Sequence, residues 1–203
     1  GFMWFGTQDG INRYDGKKFK SFTPSIKRDK NANQIFSKMI TALYYDKSDF
    51  LWVGTTKELM IYDRYTETFK YPKEMFCGLE LPQNMWFKKL LIDKNDNFWI
   101  ATQDNGLFCY SKRSDEMKKL TFTGKAPKKI LNIIEDKDGN IWMITATEIY
   151  KGVDGIFTPI HISSIINVQN LAIADIAFID QKLWVVINGT DVFVLDINKS
   201  PLT

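Results

Sequence analysis

Side chains that commonly run chemistry are scarce in this chain. One histidine, His161, stands among 203 residues, so a Ser-His-Asp or Cys-His relay has a single candidate base. It lies in the uncharged stretch from Gly155 to Ala174, which suits a loop or packing role. Gly10 to Gly16-Lys17 has the outline of a phosphate loop, but Lys18 stands where a serine or threonine would hold the metal. Asp93-x-Asn95-x-Asn97 and Asp136-x-Asp138-x-Asn140 begin like calcium loops, yet Asp104 and Thr147 replace the closing glutamate. Both read as hairpin turns. Cys77 and Cys109 are two thiols in a chain large enough to fold without staples, and they read as incidental. The sequence therefore predicts no catalytic constellation, no metal site and no cofactor.

Composition narrows the partners. Lysine and arginine number 27 against 24 acidic residues, a net charge of +3. That bias is too weak for a nucleic-acid or membrane partner. At 44% hydrophobic and 25% charged the chain is globular. The uncharged stretch carries Pro159, His161, Asn167 and Gln169, so it is not a membrane span.

The elements that position these residues repeat. Trp4, Trp52, Trp99, Trp142 and Trp184 are spaced 48, 47, 43 and 42 residues apart. A period near 45 with strand-like segments is the signature of a propeller blade. An aspartate stands six residues ahead of three of them, at Asp46, Asp93 and Asp136, and a threonine three residues after four, at Thr7, Thr55, Thr102 and Thr145. The fifth copy is worn: Asp180-Gln-Lys-Leu-Trp184 lacks two turn residues.

Each copy reads as an apolar strand, an Asp/Asn/Gly turn, the tryptophan strand, a third strand and an alternating fourth strand such as Thr68-Phe69-Lys70-Tyr71. Runs such as Ile141-Trp142-Met143-Ile144 fit strands covered on both faces by neighbouring blades. The expected fold is all-β, a single β-propeller fragment of about five blades at residues 1–22, 39–71, 87–120, 130–160 and 174–198. Three blades are complete and four-stranded; the first and last are partial, which leaves open blade edges for self-association.

The run Gly1-Phe-Met-Trp-Phe-Gly-Thr-Gln-Asp-Gly-Ile-Asn-Arg-Tyr-Asp-Gly16 resembles the two-component regulator propeller repeat, D-x-x-G-x-hydrophobic-W-hydrophobic-G-T followed by a turn and Y-D. No tryptophan is followed by aspartate and no glycine pair occurs, unlike WD and kelch repeats. The resemblance covers all five copies and weakens toward the C-terminus. It implies the periplasmic sensor region of a Bacteroides-type hybrid two-component receptor. Such a region senses oligosaccharides from polysaccharide breakdown, and the remaining blades and signalling domains lie elsewhere in the parent. The alternative is a protein-interaction scaffold without a small ligand.

Position then selects a binding group. Lys38 and Lys128 fall eight residues before a turn aspartate, and Trp86 and Lys129 fall seven before. Each sits where a connection reaches an innermost strand, beside the propeller axis. An indole offers a flat face to a sugar ring, and converging ammonium groups suit carboxylates or sulfates. Trp86, Lys38, Lys128 and Lys129 are thus the expected ligand-binding residues, with an anionic oligosaccharide as the ligand.

Overall fold

The computed structural model describes residues 1–22, 37–162, 171–188 and 192–196. Its strands form five sheets in chain order. The first holds β1 (Met3–Thr7), β2 (Gly10–Tyr14) and β3 (Phe19–Phe22). The second holds β4 (Ile40–Tyr45), β5 (Leu51–Thr55), β6 (Leu59–Asp63) and β7 (Thr68–Lys70). The third holds β8 (Phe87–Ile92), β9 (Asn97–Thr102), β10 (Leu107–Ser111) and β11 (Glu116–Lys118). After a two-residue strand, β12 (Thr121–Phe122), the fourth sheet follows with β13 (Asn132–Glu135), β14 (Ile141–Ile144), β15 (Ile149–Val153) and β16 (Ile156–Ile160). The fifth has β17 (Ile173–Ile179), β18 (Lys182–Ile187) and β19 (Val192–Leu195). All pairings are antiparallel except that of β12. The all-β propeller expected from the repeat is the fold observed.

β12 is a departure. Residues 121–129 read as a plain connection, but Thr121 and Phe122 pair in parallel with Ile156 and Phe157 on the outer edge of β16. An outermost strand leaves its backbone groups unpaired, and Phe122 gains a partner by stacking on Phe157, with ring centroids 5.2 Å apart. A strand this short carries no periodicity to read.

The core lies between sheets. Trp52 packs toward the third sheet, 4.2 Å from Phe98; Trp99 packs toward the fourth, against Phe157 at 5.9 Å; Trp142 packs toward the fifth, against Phe178 at 5.5 Å. All three are buried. The spacing of six between aspartate and tryptophan has a direct cause. Asp93 Oδ1 accepts the N–H groups of Asn95 (2.9 Å) and Asn97 (2.8 Å), while Oδ2 accepts the indole N–H of Trp99 at 2.8 Å. Asp46 and Asp136 do the same for Trp52 and Trp142, at 2.9 and 2.8 Å. One carboxylate thus shapes the turn and satisfies the buried indole. Where the fifth copy lacks two turn residues, the buried Nε1 of Trp184 has no hydrogen-bond partner.

The small residue two places after the tryptophan is steric. A Cβ on Gly54 would stand 2.7 Å from Phe87 Cβ, and one on Gly6 2.6 Å from Ile40 Cγ2. Those two residues begin the innermost strands of the next sheets, so the missing side chain lets neighbouring blades close at the axis.

Candidate functional site

The predicted binding residues lie on the face formed by the hairpins between second and third strands. The repeat threonines build those hairpins. Thr55 Oγ1 accepts the N–H groups of Lys57 (3.0 Å) and Glu58 (2.9 Å) and donates to the Glu58 carbonyl at 3.0 Å. Thr102 Oγ1 accepts from Asn105 N–H at 3.0 Å and donates to the Gly106 carbonyl at 2.7 Å. Thr7 and Thr145 repeat the clamp. A hydroxyl that is donor and acceptor at once suits this turn, because it satisfies groups of both kinds.

Two of the four predicted residues, Trp86 and Lys128, are fastened to one such hairpin, and a third, Lys129, sits between two residues bonded to it. The Trp86 carbonyl accepts the Gln103 N–H at 2.9 Å, the Lys128 carbonyl accepts the Gly106 N–H at 2.7 Å, and the Ile130 N–H beside Lys129 donates to the Thr102 carbonyl at 3.1 Å. Gly106 has φ +81°, and a Cβ there would stand 3.1 Å from the Pro127 carbonyl. The 125–129 connection therefore docks on a glycine, and Trp86 and Lys128 flank the 102–106 hairpin. The Lys128 and Lys129 side chains are exposed. Trp86 is 36% exposed as a residue, with the Lys88 ammonium 5.4 Å from its ring centre.

Lys38 stands apart. It is exposed, next to Ser37, whose N–H donates to Glu58 Oε1 at 2.9 Å and whose hydroxyl lies 3.1 Å from that of Thr56. It belongs to the corresponding hairpin one sheet earlier. Among the described residues no hydrogen bond or ion pair joins it to the other three.

Further polar groups on this side escaped the sequence reading. Irregularities near the starts of β4, β8 and β17 bring Ala42, Lys89 and Asp175 opposite Gly54, Ala101 and Val186, and Asn132 holds the same place in β13, opposite Ile144. Asn132 Nδ2 donates to Asp175 Oδ1, which also accepts the Ile176 N–H at 2.8 Å. The innermost strands thus pass from ammonium through amide to carboxylate at one register position. Aligning the residue opposite each Trp-x-Gly position would have found them. Gln103 Oε1, on the central hairpin, is buried without a hydrogen-bond partner.

Other candidates fall away. Cys77 and Cys109 are both free thiols, and burial pushes the Cys109 thiol up to about 12, too high for a nucleophile. His161 is exposed just after β16. Among the described residues no three His, Cys, Asp or Glu side chains converge as metal ligands, and no helix is long and apolar enough to cross a membrane.

Fold and repeat define a class. The pattern of the two-component regulator propeller matches residues 34–57 and 124–147. Among curated proteins it is similar to histidine kinase P4 of Formosa agariphila, 28% identical over 93 residues that cover 43% of this chain and 7% of that protein. Among solved structures it is similar to the extracellular domain of BT4673 of B. thetaiotaomicron, described as a one-component system. The TM-score is 0.73 at 20% identity, over 96% of this chain and 28% of that one. The extracellular domain of the hybrid two-component system BT3049 of B. thetaiotaomicron gives 0.57 at 18% identity, over 100% of this chain and 33% of that one. The chain thus spans a third or less of these relatives. At such identities the structures establish the fold alone.

Proposed function

We propose that this chain is part of the ligand-sensing propeller of a hybrid two-component receptor, on the periplasmic side of the inner membrane, and that it recognises an anionic oligosaccharide. The observation that carries the reading is the fastening of Trp86 and Lys128, with Lys129 next in the chain, to one hairpin. A half-exposed indole gives a sugar ring an apolar face. The Lys88 ammonium over the ring and the exposed side chains of Lys128 and Lys129 across the same hairpin can donate to carboxylates or sulfates. Binding carries no chemical step here, and the signalling domains belong to the parent receptor.

The ligand is tested by calorimetric titration of acidic and neutral oligosaccharides into the intact sensor. Lys128→Ala/Lys129→Ala should weaken an acidic oligosaccharide by roughly tenfold or more, since charge-assisted hydrogen bonds are each worth about 1.5–3 kcal/mol. It should also flatten the salt dependence. Trp86→Ala should weaken acidic and neutral sugars alike. Unchanged affinity in both variants removes this hairpin from the site.

The two end sheets support the expectation of further blades or a second copy. Met3, Phe5 and Phe19 on the first sheet and Val186, Val192 and Val194 on the last are exposed. Leu51 and Val53, which flank Trp52 as Met3 and Phe5 flank Trp4, are buried against the preceding sheet. Apolar sheet faces of this kind pack when a partner is present. In the isolated chain, sedimentation velocity should show self-association at tens of micromolar; a strict monomer counts against it.

A further inference from the structure

The innermost strands β4, β8, β13 and β17 stand side by side around the axis. In each, one residue lies opposite the second place after the tryptophan: Ala42, Lys89, Asn132 and Asp175. Ala42 shows what packing alone asks of this position. It is buried beside Trp52 and Phe87, so a methyl group is enough. The next three blades carry polar side chains instead, and Lys89 and Asp175 are exposed. Packing does not account for charge at such a place.

Two of these side chains are fixed in advance. Asn132 Oδ1 accepts the Ile133 N–H and Asp175 Oδ1 accepts the Ile176 N–H, each at 2.8 Å. The Asn132 amide also donates to that same Asp175 oxygen. Among the described residues, Asp175 Oδ2 and the Lys89 ammonium have no hydrogen-bond or ion-pair partner. An unpaired donor and an unpaired acceptor of opposite charge thus stand one blade to either side of a fastened amide. A carboxylate oriented before a ligand arrives lowers the ordering cost of binding.

We propose that this polar arc binds the acidic unit of the oligosaccharide, a uronate, with its carboxylate on Lys89 and its ring hydroxyls on Asp175. The ammonium donates charge-assisted bonds to the carboxylate. Asp175 Oδ2 accepts from hydroxyls and repels a carboxylate, so the two residues fix the direction in which the unit lies. Lys89 is three residues beyond Trp86, which places the arc next to the indole. Trp86 then holds the neighbouring unit, as the sugar reading on which this site rests requires.

NMR titration of the chain tests the arc with methyl glucuronide and methyl galacturonide, each against its neutral methyl glycoside. The members of a pair differ only in a carboxylate against a hydroxymethyl group. The Ile133 and Ile176 amides report on the arc, and the Trp86 indole N–H reports on the hairpin. Millimolar uronide should shift both amides and bind at least about tenfold more tightly than the glycoside. Lys89→Met, at an exposed position, should remove most of that preference, whereas Lys128→Ala/Lys129→Ala should leave it. Shifts at the Trp86 indole without shifts at Ile133 and Ile176 keep the sugar reading and overturn this site. Silence at all three overturns both. Equal binding of glycoside and uronide to the unaltered chain overturns the assignment without needing a variant to fold. So does a preference that survives Lys89→Met, or one that is lost with Lys128 and Lys129.

Discussion

Truncating Trp52 to alanine should cost about 3–5 kcal/mol of folding stability, as removal of a fully buried large aromatic side chain does. The indole has no exposed surface and touches the third sheet through Phe98 and the connection leading to it through Phe76. Phenylalanine at the same position separates packing from hydrogen bonding. It keeps most of the apolar contact but removes the donor to Asp46, leaving a buried carboxylate oxygen with the Lys112 ammonium as its remaining side-chain partner. That loss is worth about 1–3 kcal/mol. Trp184→Phe supplies the control within one molecule. Its Nε1 is buried and unbonded, so removing it relieves an unsatisfied donor and should be neutral or stabilising. Urea denaturation of the three variants reads the difference. Equal losses for Trp52→Phe and Trp184→Phe would mean that the bond to aspartate contributes nothing.

This contrast also shows why so much of the fold was legible. The Asp-to-Trp spacing is the footprint of one carboxylate bonding a turn and an indole together, so the motif and its physical cause coincide. The glycine after Trp52 is equally readable, because the next blade's Phe87 leaves no room for a Cβ. The candidate site was harder for a related reason. Trp86 and Lys128 join the 102–106 hairpin through backbone carbonyls, and a carbonyl bond leaves no mark on residue type. Lys38 looked equivalent by counting from its aspartate, yet it belongs to another hairpin. Gly152 reads as a weak strand position until register shows its counterparts in the other sheets to be Tyr62, Tyr110 and Leu195, with the Phe157 ring filling the space instead.

Acid should act through the same turns. Burial pushes the Asp136 carboxyl up, but the Trp142 indole, the Asn140 amide and backbone N–H groups outweigh it and hold its pKa below the usual carboxylate value. The fold therefore favours the charged form. Its contribution is fully present above the unfolded-state value, about 3.9, and is lost as pH falls through the lower folded value. Asp63, bonded by the Lys70 ammonium and the Tyr65 N–H, is held at about 2, but its partner Lys70 is exposed to solvent and such a screened pair contributes little. Stability should accordingly decline as pH falls below about 4, with Asp136 carrying part of the slope. Asp136→Ala should cost about 3 kcal/mol near neutrality, since it strands the buried indole and amide donors, and should flatten the decline. Asp136→Asn keeps one acceptor oxygen and should fall between. Urea midpoints measured from pH 7 to pH 2 decide the matter. A parallel pH profile in Asp136→Ala would show that the turn carboxylate takes no part in the acid response, whatever it contributes to the fold.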